Sequence, residues 1–184
     1  MTADLNFEQS EIAKKLAAYK LPRYHELTSF PIVMRQLTKL LDDYLEIFLV
    51  PGEDKMLTQS MINSYVYKKI IPAPTNKEYE KIHIMYLIVL ATLKQVLPIS
   101  EIEKLLKLQT DVYPVDVAYN YFCDEMDYAL NTTFGTRNFS NIGKKNPTKI
   151  TLLSETFRSA VLAFANAVYV KQIIYFTQNA CQDK

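Results

Sequence analysis

Between Leu57 and Lys81 the chain gathers side chains suited to bonding an anion or the edge of a nucleic-acid base. Gln59, Ser60, Asn63, Tyr67 and Lys68 supply amide, hydroxyl and ammonium groups with no carboxylate among them. Gln and Asn amides match an adenine edge in the major groove, while Lys and Tyr bond phosphate oxygens. Lys77 and Lys81 follow two prolines later and add the sequence-independent attraction to phosphate that salt weakens. The same residue types also make up the solvent face of many amphipathic helices, so the element that holds them decides what they can do.

Elsewhere the chemistry is sparse. His25 and His83 stand apart from any nucleophile or metal-ligand spacing, and His83 is expected at the edge of a helix. Cys123 and Cys181 lack a CxxC spacing or a neighbouring His, so they read as packed or incidental thiols rather than a zinc site or a disulfide framework. Asp42-Asp43 and Asp124-Glu125-Asp127 read as solvated faces, because near-adjacent residues point to different sides of a helix. Residues 143–148 hold Gly and Lys without the spacing of a phosphate-cradling loop. Tyr113, Tyr119, Tyr121 and Tyr128 read as core aromatics. No catalytic set, metal or cofactor is expected, and an enzyme ranks behind a binding or scaffold protein.

The elements that must position these residues are helical. With 49% apolar residues the 184-residue chain is expected to be globular. With only three glycines and no long period-2 alternation it should be all-α, with at most a short two-stranded wing. A peripheral helix is expected over residues 6–19, and a core helix starting near Pro31 carries Leu37, Leu41, Leu45 and Phe48 before Pro51-Gly52. Thr58 is the strongest N-cap, and Leu57 with Ile62 has the spacing of a hydrophobic staple. From there Ile62, Val66 and Ile70 line one face, and the polar residues above occupy the other. Pro72 and Pro74 then force an extended, hairpin-like excursion over residues 70–79. A mostly buried helix over 80–97 follows, then a short helix behind a Ser100/Glu103 capping box, an aromatic-rich helix over 114–130 and a long apolar helix over 152–177.

Charge is arranged in blocks. Residues 55–81 carry five Lys or Arg against two Asp or Glu, and residues 135–150 carry four against none, between acidic segments. Two basic stretches on a chain of net charge +1 point to an anionic partner or to solvated loops. Residues 1–10 lack the pattern of a secretory leader. The most apolar stretch, residues 159–170, has twelve residues without charge, short of the ~20 needed to span a bilayer. The expected location is the cytoplasm.

The Leu21-Pro22-Arg23-Tyr24 motif, the Leu57-Thr58, Ser60-Met61-Ile62-Asn63 and Tyr65-Val66 run and the apolar helix behind Tyr79 resemble a bacterial family known as domain of unknown function 1836. The likeness covers roughly residues 21–108 and implies no activity. Residues 57–108 also resemble, more distantly, the winged helix-turn-helix of MerR-type regulators. There Ile62, Asn63, Ser64 and Tyr65 fall on the recognition-helix core and Lys77-Glu78-Tyr79 on the end of the wing. Lys69 departs from that pattern by standing where the family uses glycine to turn left-handed at the helix end, which costs a side-chain-bearing residue ~1 kcal/mol or more. Asn63 replaces a phosphate-binding Arg, and the connection before Thr58 is longer than a tight turn.

The resulting expectation is an N-terminal helical segment (1–56), a MerR-like winged-helix module (57–108) and a C-terminal helical region (109–184). Ala160, Ala163 and Ala167 form a small-residue strip on the last helix, which is apolar nearly all round and must be covered by its own chain or by a second copy. Two functions fit: a dimeric regulator of double-stranded DNA using Gln59, Ser60, Asn63, Tyr67, Lys68, Lys77 and Lys81, or a helical protein–protein interaction or scaffold protein without DNA.

Overall fold

A computed structural model describes residues 6–137, 139 and 152–180; the basic segment beyond residue 139, including 143–148, and Cys181 lie outside the described residues. The described chain is mainly α-helical with one two-stranded sheet. The helices are α1 (Glu11–Ala18), α2 (Met34–Leu45), α3 (Gln59–Tyr67), α4 (Lys81–Leu93), α5 (Ile99–Thr110), α6 (Val115–Leu130) and α7 (Leu152–Ala180).

The centre of the fold is α4. Ile84, Met85 and Leu87 through Leu93 are buried, as is His83, because this helix has almost no polar residue to turn outward. Around it pack α2, through Leu37, Leu41 and Leu45, and the α6–α7 pair, through Phe122, Met126, Phe157, Val161 and Phe164. The ring of Phe122 meets Phe157 edge-on at 5.6 Å, and Phe48 meets Phe164 at 5.1 Å, the edge-to-face geometry favoured by aromatic quadrupoles.

Several boundaries differ from expectation for local reasons. Residues 6–19 divide, because Ser10 adopts an extended conformation after the 3-10 turn Phe7–Gln9 and caps α1 by accepting a bond from the Ala13 amide. Pro31 does not open α2. Instead Ile32–Val33 forms strand β1, and α2 starts at Met34. The Ser100 capping box is not formed, since α5 begins directly behind Pro98 and leaves Ser100 inside its first turn. His83 is 4% exposed rather than at an edge; its Nδ1 accepts a bond from the Glu80 amide at 2.9 Å and closes the first turn of α4.

The acidic run of α6 is not a solvated face. Glu125 is 5% exposed and takes both arms of Arg158 from α7, each at 2.8 Å. Asp124 and Asp127 each accept from Arg23 at 2.8 Å. This second clamp explains the Leu-Pro-Arg-Tyr motif. Leu21 is buried, the Pro22 carbonyl accepts from the Tyr119 hydroxyl, and the Tyr24 amide donates to Asn120, so the motif ties the N-terminal segment to α6.

The last helix is longer than its charge-free core suggests. Residues Ser154–Asn179 form a segment long and apolar enough to cross a membrane by length and composition, yet only 33% of that window is buried in the protein. Its inner face packs on α4, α5 and α6, while Val170 and Ile174 are 55% and 51% exposed.

Candidate functional site

Helix α3 is set by its first residue. The Thr58 hydroxyl accepts from the Met61 amide at 3.3 Å, and Leu57 and Ile62 are both buried, as a cap and staple require. With 3.6 residues per turn, Gln59, Ser60, Asn63 and Tyr67 fall within an arc of about 100° opposite Ile62 and Tyr65. All four are exposed, Tyr67 at 87%, while Ile62 and Tyr65 are buried. Met61 lies at the rim of the apolar side and is exposed.

The end of α3 is closed by a Schellman motif. The Ile70 amide bonds the Tyr65 carbonyl at 2.9 Å and the Lys69 amide bonds the Val66 carbonyl at 3.0 Å, which places Lys69 at φ +59°. The departure from glycine therefore leaves the turn itself intact, and Lys69 carries its strain. The chain then runs through Pro72 and Pro74 to a tight turn at Thr75–Glu78. There Asn76 (φ +51°) and Lys77 (φ +64°) are both left-handed, and the Glu78 amide donates to the Thr75 carbonyl at 2.9 Å. This is type I′ geometry, for which Asn-Gly is the favoured pair.

The extended excursion is fixed by a partner from far upstream. Glu78–Tyr79 forms strand β2, and it pairs antiparallel with β1, Ile32 opposite Tyr79 and Val33 opposite Glu78. The expectation is a hairpin-like excursion with at most a short two-stranded wing; apart from one bridge between Thr75 and Glu78, its strand pairs with the residues that lead into α2. The sheet thus binds the start of α2, the excursion and the start of α4 together. Sequence alone gave no signal for this, because two-residue strands have no periodicity.

Seven lysines and polar residues were expected to face one partner. Gln59, Ser60, Asn63, Tyr67, Lys68 and Lys77 are exposed, and Lys81 is half-buried with its ammonium 5.5 Å from the centre of the Tyr24 ring. Two further cations adjoin α3: Lys69, and Lys94 just past α4. The Lys94 ammonium lies 3.3 Å from the Met61 sulfur, and burial pushes its pKa down. Among the described residues Lys68, Lys69, Lys77, Lys81 and Lys94 make no ion pair, as is also true of Lys15, Lys20, Arg35, Lys104, Lys107 and Arg137; what sets the five apart is that they lie in or beside α3 and the excursion that follows it. The exposed carboxylates in this region are Glu78 and Glu80, on the far arm of the excursion. No group of His, Cys, Asp and Glu suited to holding a metal ion occurs among the described residues.

No curated protein and no solved structure is found to match the chain. A family model described as Domain of unknown function (DUF1836) matches residues 22–122, more than half of the sequence. The matched segment begins at the Pro22-Arg23-Tyr24 clamp and ends within α6, the helix that the clamp grips. The chain belongs to the DUF1836 family.

Proposed function

We propose that the protein is a non-catalytic, cytoplasmic regulator that binds double-stranded DNA through α3 and the turn at Thr75–Glu78. The observation that carries this reading is the exposure of Gln59, Ser60, Asn63 and Tyr67 on one arc of α3, beside lysines that make no ion pair among the described residues. An α-helix fits the major groove of B-DNA, where amides read base edges and ammonium groups neutralise phosphates. A winged helix-turn-helix resembling MerR-type regulators accounts for the arrangement. Helix α2 precedes α3, the Thr75–Glu78 turn follows it as a wing, and β1 pairs with the wing's end.

A homodimer joined through α7 completes the proposal. Ala163, Val170 and Ile174 are exposed on a helix with no charged residue between Arg158 and Lys171, and a second copy would cover them. A two-fold dimer would present two α3 helices to two half-sites.

The test compares the wild-type chain with an Asn63→Ala, Tyr67→Ala, Lys68→Ala variant on immobilised duplex DNA. The wild type should be retained at low salt and eluted by salt, and the variant should elute at a clearly lower salt concentration while keeping its helical circular dichroism. Equal retention of the two forms removes the reading. A protein-docking role without DNA is the second reading, favoured by exposed apolar Leu108, Val112 and Val117 where α5 passes into α6. It predicts a co-purifying protein and no duplex retention.

A further inference from the structure

We infer that Lys69 and Lys77 are a matched pair of phosphate contacts, one at the end of α3 and one at the tip of the Thr75–Glu78 turn, and that the fold accepts backbone strain to place them there. The inference rests on the DNA-binding reading of α3 and extends it to Lys69 and to the reason both positions are lysine.

Both residues stand where the backbone itself asks for glycine. Lys69 is the left-handed residue of a complete Schellman motif, and Lys77 is the second central residue of a type I′ turn, with φ of +59° and +64°. A left-handed conformation brings a Cβ against the following carbonyl, so a lysine is less stable than glycine at each place. Elsewhere the chain uses glycine for this purpose at Gly52, with φ +92°, and a cation at Arg137, with φ +50°, whose guanidinium lies 4.2 Å from the centre of the Tyr169 ring and donates to the Thr133 carbonyl. Lys69 and Lys77 are exposed and make no ion pair or ring contact of that kind among the described residues, so packing gives no reason for lysine at either position.

Local electrostatics accounts for little of the choice. A cation at the C-terminal end of α3 gains something from the helix dipole, but Lys68 already occupies the cap position beside Lys69. Lys77 is at no helix end, and the carboxylate next to it in sequence, Glu78, makes no ion pair with it. Both side chains are exposed, so burial of their methylene stems does not explain them either. What each position does provide is a rigid base: the two bonds of the Schellman motif hold Lys69, and the Glu78–Thr75 bond with the β1–β2 pairing holds Lys77. Ammonium groups projecting from two fixed turns, one at the end of an exposed polar helix and one in the excursion that follows it, suit a polyanion whose phosphates repeat at fixed spacing, and salt bridges to small solutes would not need that rigidity.

The test is a Lys69→Gly, Lys77→Gly double variant of the full chain, measured for thermal unfolding and for binding to a random-sequence duplex between about 50 and 200 mM salt. Relief of strain should raise the midpoint by about 2–4 °C for each kcal/mol released. Loss of two contacts should lower the slope of log affinity against log salt by about two. A Lys69→Arg, Lys77→Arg variant keeps both charges and should retain the wild-type slope. Higher stability with a lower slope supports the assignment. A slope unchanged in the glycine variant overturns it, and so does an arginine variant that loses the slope as the glycine variant does. Failure of the wild-type chain itself to bind the duplex is a different result and removes the reading of α3 as well.

Discussion

At the scale of single residues the strongest interactions are two arginine clamps, and they are structural. Arg158 grips Glu125 through two bonds of 2.8 Å, and the carboxylate is 5% exposed. This contact holds the Arg158 pKa above its ordinary value, through the hydrogen bond to Glu125, so the guanidinium stays charged at any working pH. Removing one partner strands the other charge in the interior. Arg158→Ala should therefore cost about 3–5 kcal/mol in urea unfolding, whereas replacing both residues with apolar ones of similar size should cost far less. Burial also pushes the Cys123 thiol up to about 12, so it is an inert packing residue, as its isolation in sequence implied. The acidic cluster of α6 was misread from sequence because its partners, Arg23 and Arg158, lie more than thirty positions away.

At the scale of elements, α3 is held by its cap and by two buried anchors. It is nine residues long, too short to persist alone, and Ile62 and Tyr65 are its buried anchors. Thr58→Ala leaves the Met61 amide without its partner and should destabilise the protein by about 1 kcal/mol, seen as a lower urea midpoint with an unchanged slope. The helix and its cap were legible in sequence, because a hydroxyl before an apolar period and a staple pair are local signals. The polar arc was legible for the same reason. The β1–β2 pairing was not, since nothing in Ile32–Val33 or Glu78–Tyr79 marks them as partners across 45 residues. Left-handed Lys77 was equally hidden: a lysine gives no hint of the backbone region that a glycine would announce.

At the scale of the whole molecule, the helical class followed from scarce glycine and from helix-period apolar faces, and α4 is buried as its composition required. The fate of α7 was less legible. The 29-residue apolar helix has more apolar surface than the described residues cover, and its exposed part includes Val170 and Ile174. If two copies meet there, the wild-type chain should sediment as a dimer. Val170→Glu with Ile174→Glu would place four like charges in that interface and should yield monomers with unchanged helicity. A dimer that survives the double substitution places the contact elsewhere.

The exposed amide- and hydroxyl-bearing arc of α3, with lysines at its end and in the turn beyond, is the face proposed to lie against a phosphate polymer. Fluorescence anisotropy of a labelled duplex, titrated with the wild-type chain over a range of salt, reads it directly. Five lysines around α3 predict that log affinity falls linearly with log salt with a slope of about −3 to −5, and that the Asn63, Tyr67, Lys68 alanine variant binds more weakly at every salt concentration. A duplex that the wild-type chain ignores at low salt, or binds with no dependence on salt, would contradict it.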